Sequence, residues 1–211
     1  MIENRRMFAK ESVRKMLEAI NEDDTTAFEE FPENLKTAKV CLAAVKRNGY
    51  AIESVPAPLI TPELCLAAVK QNSSVIESIP EAFITPELCY TAVDYDDGDS
   101  ILENIPDKFL TQELCLYTVK DSGYQLRYVP FEALTAEVCI AAVLNNDYAL
   151  KFVPEFHLKE VQAALENLIK ALRKALNKAS RKPPSPCLPM ETVSKRLPAL
   201  QRFRLRHLKK S

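Results

Sequence analysis

Residues 60–83 read ITPELCLAAVKQNSSVIESIPEAF, and the opening of this phrase returns at 84–93 as ITPELCYTAV. A cysteine occupies the same place in five successive copies, at intervals of 24, 24, 26 and 24 residues. These residues are Cys41, Cys65, Cys89, Cys115 and Cys139. A segment of this length cannot bury its own apolar face, whereas a stack of such segments can. The periodicity therefore predicts a tandem-repeat protein rather than one globular core.

Prolines that close each copy divide the chain into six repeats. They are Pro32, Pro56, Pro80, Pro106, Pro130 and Pro154. Repeats 1 to 6 span about 13–36, 37–60, 61–84, 85–110, 111–134 and 135–158. Repeat 1 is degenerate and carries Leu17 in place of the cysteine, as an end repeat that caps a stack often is. We therefore predict an all-α fold, a right-handed α-solenoid of about six two-helix repeats of ~24 residues each, which occupies residues 1–158.

Repeat 3 shows how each copy is expected to fold. Thr61 can cap a helix, because its hydroxyl accepts a bond from an unpaired backbone N–H. Pro62 follows at the first helical position, where no N–H is needed. This helix is expected to end near residue 70 or 71, and a turn and a short second helix over about 74–79 follow. The same capping threonine recurs in the other repeats as Thr37, Thr85, Thr111 and Thr135.

Three apolar positions recur in every copy after the first and are expected to form the core. The first is Val45, Val69, Val93, Val119 and Val143. The second is Ile52, Ile76, Leu102, Leu126 and Leu150, and the third is Val55, Ile79, Ile105, Val129 and Val153. Such columns predict that each repeat buries its apolar side against its neighbours.

After residue 158 the period of the apolar residues becomes that of a long amphipathic helix. Its apolar face is Leu158, Val161, Leu165, Leu168, Leu172 and Leu176. We expect this helix, about 159–180, to cover the open apolar end of the last repeat. The segment 181–211 begins with the proline-rich stretch RKPPSPCLP and is predicted to be a linker followed by a disordered basic tail.

Charge divides the chain into an acidic body and a basic tail. Residues 1–180 carry 28 acidic and 19 basic side chains, whereas 181–211 carry 9 basic and 1 acidic. The tail could bind an anionic membrane surface, a nucleic acid or an acidic protein. It could equally be a solubilising extension, a basic targeting signal or a cover for the acidic body. The candidate tail contacts are Lys195, Arg196, Arg202, Arg204, Arg206, Lys209 and Lys210.

The five repeated cysteines are expected to be small buried hydrophobic side chains. Equivalent positions in stacked helices lie about 10 Å apart, which is too far for a disulfide or for a shared metal ion. Free buried thiols favour a reducing compartment. Cys187, alone in the linker, is the one thiol that we expect to be exposed and reactive.

The sequence predicts no catalytic residue, cofactor or metal site. The acidic insertion at 94–100 resembles the start of a calcium loop, but its glycine comes one place early and Ile105 stands where a bidentate glutamate is needed. A solvated acidic turn is the favoured interpretation, and weak divalent-cation binding is the alternative. His157 is expected to pack at the join with the final helix, and His207 lies in the tail. No phosphate-binding loop or nucleophile elbow appears.

Two rows of surface residues form the candidate interaction surface. Tyr50, Tyr124 and Tyr148 share the turn position. On the short helix, Glu53, Glu77 and Glu103 give way to Arg127 and Lys151. Tyrosine rows suit contact surfaces, although such rings also cover neighbouring turns. The change from acidic to basic could match a partner of opposite charge, or it could be drift on a solvated face.

The N-terminal stretch MIENRRMFAKESVRK lacks the apolar run of a secretory signal, and no run approaches the ~20 apolar residues of a membrane span. We therefore expect a cytoplasmic protein. A C-terminal secretion signal would escape this test, so delivery into a host cell stays open.

The phrase TPELCLAAVK at 61–70, with the pair Ile79-Pro80 and their equivalents, resembles the domain-of-unknown-function 4116 repeats of bacterial helical proteins. The resemblance covers about 37–158, and weakly 13–36. Gln112 and Ala136 depart from it, because the family has proline there. The family implies a helical repeat array and carries no known activity or binding residue to transfer. Some of its members are suspected effectors of intracellular bacteria.

We therefore predict a non-catalytic protein–protein interaction scaffold with an unknown protein partner, in the manner of a secreted microbial effector. No small-molecule substrate is expected. The alternative is an adaptor that binds an anionic membrane surface or a nucleic acid through its basic tail.

Overall fold

A computed structural model describes residues 11–18, 26–96, 98 and 100–179, and all regular structure in these residues is helical. The α-helices are α1 (11–18), α2 (Thr26–Glu29), α3 (Ala38–Arg47), α4 (Pro62–Gln71), α5 (Pro86–Asp94), α6 (Ile101–Asn104), α7 (Gln112–Asp121), α8 (Ala136–Asn145) and α9 (Glu155–Ala179). The predicted all-α fold is confirmed for this part of the chain. None of its helices is both long and apolar enough to cross a lipid bilayer.

The expected short second helix is present in repeat 3 at Ser73–Ser78, and in most repeats it is a 3-10 helix, a type that the sequence analysis did not specify. Six-residue 3-10 segments follow four of the repeat helices, at Gly49–Ser54, Ser73–Ser78, Gly123–Tyr128 and Asp147–Phe152. Shorter 3-10 turns follow the prolines, at Glu33–Leu35, Ala57–Leu59, Glu81–Phe83, Asp107–Phe109 and Phe131–Ala133. Repeat 4 has the α-helical α6 in the place of the longer segment. Only a few residues lie between the end of the first helix and the proline that closes the repeat. The second helix is therefore short, and hydrogen bonds between residues three apart, which are typical of short 3-10 helices, form it.

Threonine side chains cap the five repeat helices as the sequence predicts. Each hydroxyl accepts a hydrogen bond from the backbone N–H three residues later, at 3.2 to 3.4 Å. The threonines are Thr37, Thr61, Thr85, Thr111 and Thr135. Each cap satisfies one of the amides that the first helical turn leaves unpaired. The first helix of repeat 3 spans Pro62–Gln71, so it begins and ends at the expected residues.

An asparagine begins the 3-10 segment in repeats 2, 3 and 6. The side-chain oxygens of Asn48, Asn72 and Asn146 accept from the backbone N–H two residues later, at 3.0 to 3.1 Å. This local bond replaces the next α-helical bond, so the chain turns away from the helix axis.

The predicted apolar columns form the core in all but two places. Val45, Ile76 and Leu126 are among the members that are almost fully buried. Val93 and Leu150 are only half-buried. Val93 lies just before the acidic insertion, and Leu150 lies in the last repeat, which no further repeat follows.

Lys36 is a buried charge that the sequence did not reveal. It is 7% exposed, its Nζ donates to the Ser54 carbonyl oxygen at 2.8 Å, and it lies 4.6 Å from the ring centroid of Phe28. The carbonyl and the ring face replace water around the ammonium group, and burial of a charge requires such partners.

Contacts divide the chain into two compact units, 1–114 and 115–211, with the boundary inside α7. In the N-terminal unit α3 packs against α4, and α4 packs against α5. In the C-terminal unit α8 packs against the segments Gly123–Tyr128 and Asp147–Phe152 and against α9. The predicted single repeat domain over 1–158 stays a prediction.

Helix α9 begins at Glu155, a few residues before the expected start, and is described as far as Ala179. Val161 and Leu165 are buried where α9 meets α8, while Leu158, Leu168 and Leu172 are half-buried. The long amphipathic helix is thus present, and its first half packs against the last repeat helix.

Candidate functional site

Four residues of the candidate interaction surface meet at one place in the C-terminal unit. Tyr124 and Arg127 lie on the segment Gly123–Tyr128, and Tyr148 and Lys151 lie on Asp147–Phe152. These two segments hold equivalent positions in repeats 5 and 6 and contact each other. The rings of Tyr124 and Tyr148 stack with their centroids 5.7 Å apart.

Phe152 completes this group, and the sequence analysis missed it. Its ring meets Tyr124 edge-on at 6.2 Å and Tyr148 at 5.8 Å, measured between centroids. Tyr124, Arg127, Tyr148, Lys151 and Phe152 are called the aromatic–cationic cluster below. A signal for Phe152 was present in the repeat column. The equivalent residues are Ser54, Ser78, Asn104 and Tyr128, so this column becomes aromatic only in the last two repeats.

Both cations of the cluster lie over aromatic rings. The guanidinium carbon of Arg127 is 5.2 Å from the Tyr124 centroid and 4.8 Å from that of Tyr128. One guanidinium nitrogen also donates to the Tyr124 hydroxyl at 2.5 Å. Lys151 Nζ lies 4.0 Å from the Tyr148 centroid. Such contacts hold a cation through the negative face of the ring and restrict its conformations.

The cluster is open to solvent on its charged side. Tyr148 is 43% exposed, and Arg127 and Lys151 are exposed. Tyr124 and Phe152 are half-buried. The rings therefore anchor the group to the protein, while the two cationic side chains lie at its solvent-exposed edge.

A second exposed aromatic contact, the phenylalanine pair, was also missed. Phe131 and Phe156 are 72% and 58% exposed, and their centroids lie 5.9 Å apart at an edge-to-face angle. The repeat column of Phe131 contains Glu33, Ala57 and Glu81, so an aromatic residue there departs from the pattern. An exposed pair of this kind is common at contact surfaces.

The candidate residues of the N-terminal unit do not form a comparable group. Tyr50 is 45% exposed, and Glu53, Glu77 and Glu103 are exposed. Glu53 Oε1 accepts from the Ser78 hydroxyl at 2.7 Å. Within the described residues, no hydrogen bond, ion pair or ring contact joins Tyr50 and these three glutamates to one another.

All five repeat cysteines are free and buried, which confirms their assignment as small core side chains. Burial raises the pKa of the Cys65, Cys89, Cys115 and Cys139 thiols to about 11. Burial also raises the pKa of Cys41, and the nearby charge of Lys36 opposes this only in part. A thiol that stays protonated is a poor nucleophile and a poor metal ligand at neutral pH.

His157 joins α9 to repeat 5, as the sequence predicts for the start of the final helix. Its Nε2 lies 3.0 Å from the Leu134 carbonyl oxygen, so this nitrogen carries the proton and donates. Its buried Nδ1 lies 3.3 Å from Glu160 Oε2 but without the geometry of a hydrogen bond. The ring also packs on Phe156 at 4.4 Å between centroids. These contacts give the residue a structural role.

The acidic insertion offers no metal site in the part that can be described. No group of three or more histidine, cysteine, aspartate or glutamate side chains is placed to hold a metal ion among the described residues. Asp96 Oδ1 instead accepts a hydrogen bond from Ser73 at 3.1 Å. Asp97 and Asp99 lie outside the described residues.

The predicted linker and tail also lie outside the described residues. This applies to Cys187, His207 and the tail contacts Lys195, Arg196, Arg202, Arg204, Arg206, Lys209 and Lys210. Their roles stay predictions.

No family model, no curated protein and no solved structure matches this chain. The resemblance to the domain-of-unknown-function 4116 repeats thus depends on the quoted residues alone and stays a prediction.

Proposed function

We propose that the chain is a non-catalytic protein–protein interaction scaffold, and that its C-terminal unit binds a protein partner through the aromatic–cationic cluster. The observation that carries this proposal is the partly exposed stack of Tyr124 and Tyr148 with Arg127 and Lys151 at its edge. Tyrosine and arginine are enriched where protein interfaces gain most of their binding energy. A semi-rigid aromatic group loses little conformational entropy when a partner binds.

The scaffold in this proposal is an α-solenoid that resembles the domain-of-unknown-function 4116 repeats. The buried columns and the threonine caps support it, since repeats 2 to 6 all begin their first helix with the same capping bond. Contacts of α3 with α4 and of α4 with α5 also support it. In repeat arrays of this kind, neighbours bury one another and leave a continuous outer surface for partners.

Two features favour binding over catalysis. The repeat cysteines are buried and their thiol pKa values are raised. The ring of His157 lies against Leu134 and Phe156, so these contacts give it a structural role. The exposed residues of the cluster are ring and cation side chains, which are suited to recognition. The prediction that the protein is a secreted microbial effector in a host cytoplasm belongs to this proposal. The identity of the partner tests it.

Proximity labelling with the full chain in its native host tests the proposal. Labelled proteins are identified by mass spectrometry, and the strongest candidate is purified and titrated with the full chain. Binding should survive deletion of 181–211 and should weaken by about tenfold or more in Tyr148→Ala, as expected for an interface anchor. Tyr50→Ala is the matched control, because Tyr50 has the same turn position and a similar exposure.

Liposome pelleting and nucleic-acid shift assays are done in parallel. If the chain binds only lipid or nucleic acid, and this binding disappears when 181–211 is deleted, the tail adaptor replaces the scaffold. If partner binding is the same in Tyr148→Ala and Tyr50→Ala, the cluster is not the binding surface.

A further inference from the structure

We propose that the aromatic–cationic cluster recognises an acidic peptide segment of the partner, and that Arg127 and Lys151 bind two of its carboxylates. This inference depends on the proposed function, because it names the chemistry of the surface that the partner contacts.

The two cations are placed as a pair rather than as independent surface charges. Arg127 and Lys151 occupy the same position of consecutive repeats, on segments that contact each other. Both are held by tyrosine rings, at 5.2 Å for Arg127 with Tyr124 and 4.0 Å for Lys151 with Tyr148. A charge that is already held in place loses less conformational entropy when it binds an anion.

The spacing of the pair suggests the spacing of the ligand charges. Packed α-helices lie about 8–10 Å apart, and the rings of Tyr124 and Tyr148, at equivalent positions of these two segments, lie 5.7 Å apart. An extended chain advances about 3.3–3.6 Å for each residue. Two carboxylates two or three residues apart on an extended peptide therefore match the pair.

Charge restricts this chemistry to the C-terminal unit. The equivalent positions in repeats 2, 3 and 4 are Glu53, Glu77 and Glu103, which would repel a carboxylate. Residues 1–114 carry 21 acidic and 11 basic side chains, so the N-terminal unit is unfavourable for an acidic ligand as a whole. Lys151 makes no ion pair with any carboxylate in the part of the chain that the structure describes, so its charge is available.

Single-stranded nucleic acid is the main competing ligand, and the cluster is less suited to it. Bases bind such proteins by stacking on open aromatic faces. Here the faces of Tyr124 and Tyr148 stack on each other, and Lys151 lies over Tyr148. The exposed side of the cluster carries the positive charge of Arg127 and Lys151, which attracts carboxylates.

The experiment uses isotope-labelled full-length protein and residue-resolved amide NMR, because the basic tail would obscure any bulk binding signal. The probe is an extended glycine–serine peptide with glutamate at every third position. The matched probe has glutamine at the same positions. We expect the glutamate peptide to shift the amides of Gly123–Tyr128 and Asp147–Phe152 in a saturable and salt-sensitive way, and the glutamine peptide to leave them unchanged.

Variants test the two cations directly. Arg127→Gln with Lys151→Gln should weaken binding at these amides by about tenfold or more, as loss of close charge pairs does. Lys120→Gln with Lys159→Gln removes equal charge from exposed sites of the same unit and should leave binding unchanged. Lys151→Gln alone serves as a milder variant if the double variant unfolds. Glutamates at adjacent positions should bind more weakly than glutamates three apart.

The inference is overturned if the glutamine peptide shifts the same amides, or if the glutamate peptide shifts only amides outside the two segments. It is also overturned if a single-stranded oligouridine shifts them and the glutamate peptide does not. If the native partner still requires Tyr148 while the glutamate peptide fails, the acidic chemistry is wrong and the proposed function survives. If the partner is indifferent to Tyr148, the proposed function itself fails.

Discussion

A Cβ atom on Gly123 would lie 2.3 Å from the carbonyl oxygen of Ala142, in the helix of the next repeat. The same relationship joins Gly49 to Ala68, where the distance would be 2.7 Å. In repeat 3 the buried Ser73 takes this position and bonds to Asp96 instead. Glycine is therefore needed in repeats 2 and 5 because the backbone of the next helix passes too close for a side chain.

Gly123→Ala should destabilise the C-terminal unit by about 1–3 kcal/mol, which is the usual cost of forcing extra atoms into a packed site. Elsewhere this replacement tends to stabilise a protein slightly, because it restricts the unfolded chain. Urea unfolding followed by circular dichroism measures the change. Gly98→Ala is the control, since its Cβ would meet nothing closer than 3.7 Å. Equal effects at the two glycines would show that the close approach to Ala142 is absent.

Asn145 should be the side chain that ties α8 to the end of α7. Its Nδ2 donates to the carbonyl oxygens of Lys120 and Asp121 at 2.8 Å each, and its Oδ1 accepts from the Gly123 N–H at 2.8 Å. Asn145→Ala should cost about 1 kcal/mol in the free energy of unfolding, because it removes three hydrogen bonds, of which only the one from the Gly123 N–H is part-buried.

Asn145→Asp should cost more than the alanine variant, since a carboxylate would face two carbonyl oxygens and lie near Asp121. The measurement is again urea unfolding, with Asn167→Ala on an exposed position of α9 as the control. An Asn145→Ala protein as stable as the control would contradict this role.

The buried thiols predict how stability changes at high pH. Their pKa values of about 11 lie above the ordinary value of 9.0, so the unfolded chain loses these protons first as pH rises. The free energy of unfolding contributed by these groups is therefore complete below pH 9.0 and is lost progressively toward pH 11. Urea unfolding across this pH range measures the decline in the free energy of unfolding. Cys115→Ala should make this decline shallower.

Alkylation followed by mass spectrometry gives a second measurement of the same thiols. At pH 9 a thiol with a pKa of about 11 is only ~1% thiolate, so modification of native Cys65 or Cys139 should be very slow. The same cysteines should react rapidly in urea. Rapid modification of the native protein at these residues would show that they are not buried.

Thr85→Ala should destabilise the N-terminal unit by about 1 kcal/mol, through loss of the hydroxyl that accepts the Leu88 N–H at 3.2 Å. Thr85→Ser keeps that hydroxyl and should stay close to the original stability. Urea unfolding compares the two variants. If serine and alanine are equally harmful, packing of the threonine methyl group is the cause rather than the cap.

Most of the local structure could be predicted from the sequence. The threonine caps and the end of α4 at Gln71 depend on bonds between residues no more than four apart, so their signals lie close together in the chain. The second helix of repeat 3 was also predicted, but its 3-10 form was not. A short apolar stretch fits either kind of helix, and the choice depends on how few residues remain before the proline.

The candidate site could be predicted only in part. Tyr124, Arg127, Tyr148 and Lys151 came from their shared repeat positions, and the structure brings them together. The same reasoning placed Tyr50 and three glutamates on the surface, where they do not form such a group. Phe152 and the pair Phe131 and Phe156 were missed, because one aromatic residue in a column does not say which neighbour it meets.

By itself, the sequence determined the first helix of repeats 2 to 6 with its threonine cap, all five buried repeat cysteines, and the columns of buried residues in all but two places. These features depend on hydrogen bonds within single turns and on a regular apolar period. Only the tertiary structure decided that two tyrosines, a phenylalanine and two cations meet in the C-terminal unit, and that Gly123 must remain without a side chain. Both outcomes depend on distances between residues about one repeat apart, and those distances are set by packing of one helical segment against the next.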